Sequence, residues 1–485
     1  MKKRYIRIAA SSVFFIMFVL MFFGVRKLRF LFGLQLATAG ARAVYSFTVG
    51  PAVAVISIIV LTLFFGRLYC AVLCPLGILQ DVFSAGKKYK YRPLRPVWKY
   101  AVFSAVTGMI LLGFALPAAL LLPSSNFPAA VNNLFVPAVW KFLSLLGAGK
   151  TWYVREPEAG AAAVSLATMI FIFLLVRWRG RIYCNLFCPV GVFLSFFSRR
   201  PVLRISLDGN KCVSCGACVS VCKAMCIDIK TGTVHNESCL MCFNCEDICP
   251  KGAIRYVRPP GVKSAGCDST RRELLSAAGC MAAGAVVGGM LKKASSAVRT
   301  DSSPVMPPGA GNSAIFHSKC LGCGVCISKC SGKVLKASVK EYGLVGFMQP
   351  VMDHDRGFCR FGCTACMRSC PSHSLNVLTP AEKKHWRVGL AVFTPADCIA
   401  YRYDRDCGAC AEHCPVGAID MIPYKNTRIP SINDRLCIGC GACRHICPAV
   451  PEKAIRVEGV SEQYFVDVPE TSAGEKLKAE KGFPF

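Results

Sequence analysis

The stretch Cys437-Ile438-Gly439-Cys440-Gly441-Ala442-Cys443-Arg444-His445-Ile446-Cys447-Pro448 decides the reading of this chain. Three cysteines on a tight loop hold one cubane iron–sulfur cluster, and a fourth, one helical turn further on, reaches the neighbouring cluster. Quartets with this spacing therefore come in pairs. Five more precede it: Cys212, Cys215, Cys218, Cys222; Cys239, Cys242, Cys245, Cys249; Cys320, Cys323, Cys326, Cys330; Cys359, Cys363, Cys366, Cys370; and Cys398, Cys407, Cys410, Cys414. Six quartets use 24 of the 31 cysteines and predict six [4Fe-4S] clusters. Disulfide scaffolds are small secreted domains without CxxCxxC triplets, and a zinc tetrahedron does not send its fourth ligand to a second centre.

Within the first pair, Cys212, Cys215 and Cys218 are expected to share a cluster with Cys249, and Cys239, Cys242 and Cys245 with Cys222. Lys223 stands where a proline often follows the fourth ligand, and Cys226, one turn later, rivals Cys222 as that ligand; spacing favours Cys222, and Cys226 is read as a buried thiol. In the third of the four later quartets Cys398 lies nine positions before Cys407, so that loop must bulge. Whether the later quartets exchange fourth cysteines between neighbours or between outer and inner members is open from spacing alone; all sixteen are ligands either way.

Hydrophobic residues make up 53% of the 485-residue chain and concentrate before residue 180. Apolar stretches at about 10 to 25, 50 to 66, 100 to 122 and 160 to 176 predict four membrane spans. The net charge of +30 is uneven: residues 1 to 266 hold 31 Lys/Arg against 8 Asp/Glu, the rest 27 against 20. Basic loops beside spans point to the cytoplasm, not to nucleic acid. The loop 67 to 99 carries seven Lys/Arg, which places the N-terminus and the first quartet pair inside. Ser269-Thr270-Arg271-Arg272-Glu273-Leu274-Leu275, ahead of an Ala/Gly-rich stretch, reads as a twin-arginine export address. The later quartets are then periplasmic, beyond a flexible Ser/Pro/Gly segment at 301 to 313.

The predicted fold is a membrane α-helical bundle of four spans plus one linking helix, with α+β ferredoxin-like modules. The domains are 1–200, transmembrane; 201–260, cytoplasmic cluster module; 268–300, signal or anchor helix and linker; 314–465, periplasmic cluster domain; and 466–485, polar tail.

One repeat stands out in the membrane part. Gly66-Arg67-Leu68-Tyr69-Cys70-Ala71-Val72-Leu73-Cys74-Pro75-Leu76-Gly77 matches Gly180-Arg181-Ile182-Tyr183-Cys184-Asn185-Leu186-Phe187-Cys188-Pro189-Val190-Gly191. Cysteines at i and i+4 share a helix face, and Pro75 and Pro189 should break or kink the backbone just after them. The two copies are expected to bring Cys70, Cys74, Cys184 and Cys188 to one face, as a site for a metal or cluster or as a dithiol/disulfide shuttle. Asp81, one to two turns further on, fits either a proton acceptor for a quinol or a solvated loop acid.

None of the seven histidines precedes residue 200, so the bundle holds no histidine-ligated haem. CxxCH, P-loop and strand-linked GxGxxG motifs are absent, so the sequence suggests no c-type haem, nicotinamide or flavin.

Residues 1 to about 260, with their spans, two GRxYCxxxCPxG motifs and two quartets, resemble the NapH family of membrane quinol dehydrogenase components. Residues 268 to about 465, with a twin arginine and four quartets, resemble the NapG/MauM family of periplasmic ferredoxin-type proteins. The chain thus looks like a natural fusion of the two in the bacterial inner membrane. The resemblance implies quinol oxidation at the quinone pool and electron delivery to a periplasmic reductase or cytochrome, nitrate reductase being the best-known case. Input from a cytoplasmic ferredoxin-type donor, or a role in assembling a reductase, fits the same quartets.

Overall fold

The computed structural model describes residues 2–23, 28, 30–46, 49–92, 96–111, 119–146, 159–199, 201–258, 303–343 and 346–468. The twin-arginine stretch, Cys267 and Cys280 lie outside them. The chain divides into two compact units, Met1–Lys293 and Ala294–Phe485.

In the first unit, helices Lys2–Leu20, Val49–Phe65, Pro96–Leu111 and Ala159–Arg179 occupy the places of the four expected spans. The first begins well before residue 10, and the third is described only as far as Leu111. Among the described residues one helix, Ala159–Arg179, is long and apolar enough to cross a membrane; Val49–Phe65 is as apolar but shorter. At 1.5 Å per residue a 21-residue helix covers about 31 Å, close to the thickness of a hydrocarbon core. Both helices turn large apolar side chains outward, among them Val53, Ile56, Leu61, Leu166, Ile170 and Leu174.

The proline of each motif copy sits at the first position of a new helix, Pro75–Phe83 or Pro189–Phe197, with Cys74 or Cys188 as its extended N-cap. It starts a helix instead of kinking one, because a proline there gives up only an N–H that has no helical partner. The two copies differ just before this point: Leu68–Val72 is α-helical, and Tyr183–Phe187 forms a π turn.

Residues 201 to 258 form the expected α+β module. Arg204–Leu207 pairs antiparallel with Ile254–Val257, and Ile227–Asp228 with Thr233–Val234. Short helices Ala217–Ser220 and Asn244–Ile248 follow the cysteine loops. Ile205, Ile227, Met241 and Ile254 fill the core together with the cysteines. The module is fixed to the end of Val49–Phe65, whose unpaired carbonyls of Leu63 and Phe64 accept the amides of Val202 (3.0 Å) and Leu203 (2.8 Å).

The second unit contains three antiparallel pairs: Leu335–Ala337 with Pro350–Met352, Ile419–Tyr424 with Thr427–Ile432, and Trp386–Phe393 with Ile455–Phe465. The expected flexible segment is in fact packed from residue 303 onwards. Val305, Met306 and Ala310 are buried in the core, and Met352 and Gly459 donate backbone hydrogen bonds to Val305 and Ser303. At Gly309, with φ +82°, an added Cβ would lie 2.4 Å from the Asn376 carbonyl, so glycine is required. The Ser/Pro/Gly composition here encodes extended, tightly fitted backbone. At the other end Val468 is still buried, so the domain outlasts its expected limit at 465.

Met306→Ala in the full chain should therefore destabilise the second unit by about 2–5 kcal/mol. Urea unfolding followed through the loss of cluster absorbance measures this, and an unchanged midpoint would mean that the segment is only loosely attached.

Candidate metal centres

In the first unit, one apolar hollow is lined by Cys212, Cys215, Cys218 and Cys249, and a second by Cys222, Cys226, Cys239, Cys242 and Cys245. These are the two sets that the spacing predicts, with Cys226 added. Left-handed backbone at Gly216 (φ 77°) and Phe243 (φ 61°) turns each loop into its short helix. The Cys226 sulfur lies 3.6 Å from that of Cys222, and its hydrogen bond holds the Cys222 thiol below its ordinary value. Cys226 thus supports a ligand from beside it. Among the described residues no three His, Cys, Asp or Glu side chains are gathered closely enough for a single metal ion. The wider spread of the four-cysteine hollows fits a cubane, whose thiolates bind four separate irons.

The second unit resolves the exchange left open by spacing. Cys398, Cys407, Cys410 and Cys447 line one hollow. Cys414 is the electrostatic neighbour of Cys437, Cys440 and Cys443. Cys370 stands in the same relation to Cys320, Cys323 and Cys326, and Cys330 to Cys359 and Cys366. Adjacent quartets exchange. The bulge after Cys398 is a short helix, Ile399–Tyr403, closed by left-handed Asp404 and held by Asn426 and Thr427.

The Cys359 amide donates to the Cys440 carbonyl at 2.9 Å, which joins the two middle sets. His354 is buried beside this junction, packed on Gly441 so tightly that a Cβ there would come within 1.8 Å of its ring. Burial, with Arg444 nearby, holds the imidazole at about 4, neutral at pH 7. Its Nε2 has no hydrogen-bond partner among the described residues. Nothing in the sequence distinguishes this histidine from the other six.

The two motif copies meet as the repeat predicts. Cys70, Cys74, Cys184 and Cys188 are buried within electrostatic reach of one another. The arginines are swapped between copies: Arg67 Nη2 donates to the Cys184 carbonyl (3.0 Å), and Arg181 Nη1 to the Cys70 carbonyl (3.2 Å). The closing glycines match as well, since a Cβ on Gly77 would lie 2.3 Å from the Cys70 carbonyl and one on Gly191 2.1 Å from that of Cys184.

The opening glycines press on the cluster module. Gly66 meets Met241, and Gly180 the backbone of Lys223. Arg67 donates to the Glu237 carbonyl, and the Arg181 amide to that of Lys223 (2.8 Å).

Asp81 accepts from Arg7 (2.7 Å), Arg181 (2.8 Å) and Lys223 (2.9 Å). Burial would raise its carboxyl, but these three cations overcome it and hold the group well below the usual carboxylate range. Asp81 is therefore not a solvated loop acid, and its geometry is that of an anchor. In the sequence Lys223 stands out only as the residue in place of a proline, and the duplicated Gly-Arg is the one local signal of Arg67 and Arg181.

Two outcomes follow from this geometry. Cys447→Ser should abolish the spectroscopic signal of the Cys398 set while the Cys437 set keeps its own, and the reverse result in low-temperature EPR would refute the exchange. Asp81→Asn strands three cations and should cost about 3–5 kcal/mol, read as a lower thermal midpoint in detergent.

A family model described as a 4Fe-4S binding domain matches residues 47–92 and again 160–207. A 4Fe-4S dicluster domain matches residues 405–450, and another 4Fe-4S binding domain residues 239–253. The chain is 30% identical over 165 residues to the ferredoxin-type protein NapF of Escherichia coli K12, covering 34% of this chain and 87% of NapF. It is 35% identical over 162 residues to the methylamine utilization ferredoxin-type protein MauM of Methylobacillus flagellatus, covering 31% and 66%. The ferredoxin-type protein NapG of Escherichia coli K12 is 29% identical over 196 residues, 38% of this chain and 82% of NapG. No solved structure matches. With its paired cysteine loops and these relatives, the chain belongs to the family of ferredoxin-type 4Fe-4S electron-transfer proteins that includes NapF.

Proposed function

We propose that this chain is a membrane-bound quinol dehydrogenase and electron-transfer protein, a fusion of a NapH-type component with a NapG/MauM-type ferredoxin domain. In this reading it passes electrons from the quinol pool to a periplasmic reductase of the nitrate-reductase kind. The observation that carries the reading is the pair of buried cysteine motifs, whose opening glycines press on Met241 and Lys223 beside the Cys222, Cys239, Cys242 and Cys245 set, in a unit whose helices face outward with apolar side chains.

When bound, six [4Fe-4S] clusters supply one-electron steps that split the two-electron oxidation of a quinol. The chain's own residues do the rest. The quartets fix the separations, apolar burial excludes water, and the joined middle sets order the second unit as the Cys320, Cys359, Cys437 and Cys398 sets. The outward apolar helices take the lipid, with the N-terminus and first module cytoplasmic and the second unit periplasmic.

The test is anaerobic titration of the purified full chain with a reduced menaquinone analogue, followed by bleaching of cluster absorbance. Bleaching by the quinol is expected. Reduction by a ferredoxin with none by quinol would overturn the reading and favour cytoplasmic input, whereas clusters inert to both would favour an assembly role.

A further inference from the structure

We propose that Cys70, Cys74, Cys184 and Cys188 together ligate one additional [4Fe-4S] cluster, a seventh, shared between the two motif copies. This rests on the gathering of these four buried cysteines and is independent of which donor feeds the chain.

The first argument is charge. Arg7, Arg67, Arg181 and Lys223 converge here with side chains at most 16% exposed, and among the described residues their only carboxylate partner is Asp81. Arg67 is fully buried and, among the described residues, donates only to neutral oxygens, those of Asn185, Glu237 and Cys184. Buried charge without a counter-charge is strongly unfavourable. Four thiols are neutral, and so are two disulfides, so neither answers this excess of cations. Four thiolates around an oxidised cubane form a net dianion, which does. An intact oxidised cubane delivered to the site is taken up by ligand exchange, in which the four thiols give their protons to the departing ligands or to water and no iron changes oxidation state.

The second argument is unmet hydrogen bonding. Arg67 Nε, Arg181 Nε and Gln80 Nε2 are buried N–H donors with no acceptor among the described residues. The two arginine nitrogens belong to equivalent positions of the two copies, and Gln80 Oε1 lies 3.5 Å from the Cys184 sulfur. Buried donors of this kind require acceptors, and cluster sulfides and thiolates are acceptors.

The third argument is stoichiometry. Each copy supplies only two cysteines, so a four-thiolate site must be common to both. The swapped arginines and matching glycines hold the copies in that relation. The side chains of this array also touch the next centre, because Cys242 lies within electrostatic reach of both Arg181 and Asp81.

Iron and acid-labile sulfide are to be measured on the anaerobically purified full chain and on two variants, Cys70→Ser/Cys74→Ser and Cys184→Ser/Cys188→Ser. The wild type should hold about 28 irons instead of about 24. Each double variant should lose about four irons and four sulfides, and the quadruple variant no more than either double. Losses that add, or variants with full iron content, would overturn the proposal.

Should the variants fail to fold, differential alkylation of wild-type protein decides. Disulfides among these four cysteines, or an iron content of about 24, refute the cluster. A second readout separates ligation from mere packing. Arg67→Gln should move the midpoint potential of one EPR signal to more negative values and leave the others in place, and Arg67→Lys should restore it.

Discussion

The first unit is organised around one half-buried carboxylate. Asp81 receives Arg7 from the first helix, Arg181 from the second motif copy and Lys223 from the cluster module, while Asp81 itself stands on the helix that follows the first copy. Four segments far apart in sequence therefore close on one point. Such an array adds little net stability, since desolvating the ions offsets most of their attraction. Its effect is on specificity: this arrangement brings all three cations to one carboxylate at once. The swapped arginines extend the same logic to the cysteine pocket, because each copy's conformation is completed by the other's side chain.

The second unit is held by fit more than by charge. Its long strand pair is flanked by the packed segment from residue 303, and Gln463 binds the Trp386 indole, the carbonyls of Met306 and Pro307, and the amide of Gly311. The cysteine loops sit on this frame. Arg387, buried in the same region, donates to the carbonyls of Cys437, Asp434 and Arg435 and so fixes the approach to the last quartet.

Much of this was legible in the sequence, because cluster ligation imposes a local spacing that survives without knowledge of the fold. The quartets, the duplicated motif and the bulge after Cys398 all follow from short-range constraints, and the meeting of Cys70, Cys74, Cys184 and Cys188 follows from the duplication itself. What was hidden depends on long-range contact. Lys223 looks like a missing proline until Asp81 and Gly180 are seen beside it. Asp81 reads as a loop acid because its three partners come from residues 7, 181 and 223. The segment from 303 looks flexible by composition, since nothing in Pro-Val-Met-Pro-Pro-Gly announces the cavity that Val305 and Met306 fill. His354 gains its place from Gly441, 87 residues away.

The exchange of fourth cysteines between adjacent quartets bears on biogenesis. Each three-cysteine loop in the second unit is completed only when a residue from the neighbouring quartet has folded against it, so an unfolded neighbour leaves it with three thiolates. Maturation should accordingly proceed two centres at a time. A chain interrupted midway would present matched pairs of filled and vacant sites, and an intermediate with an odd number of cofactors in this unit would be short-lived.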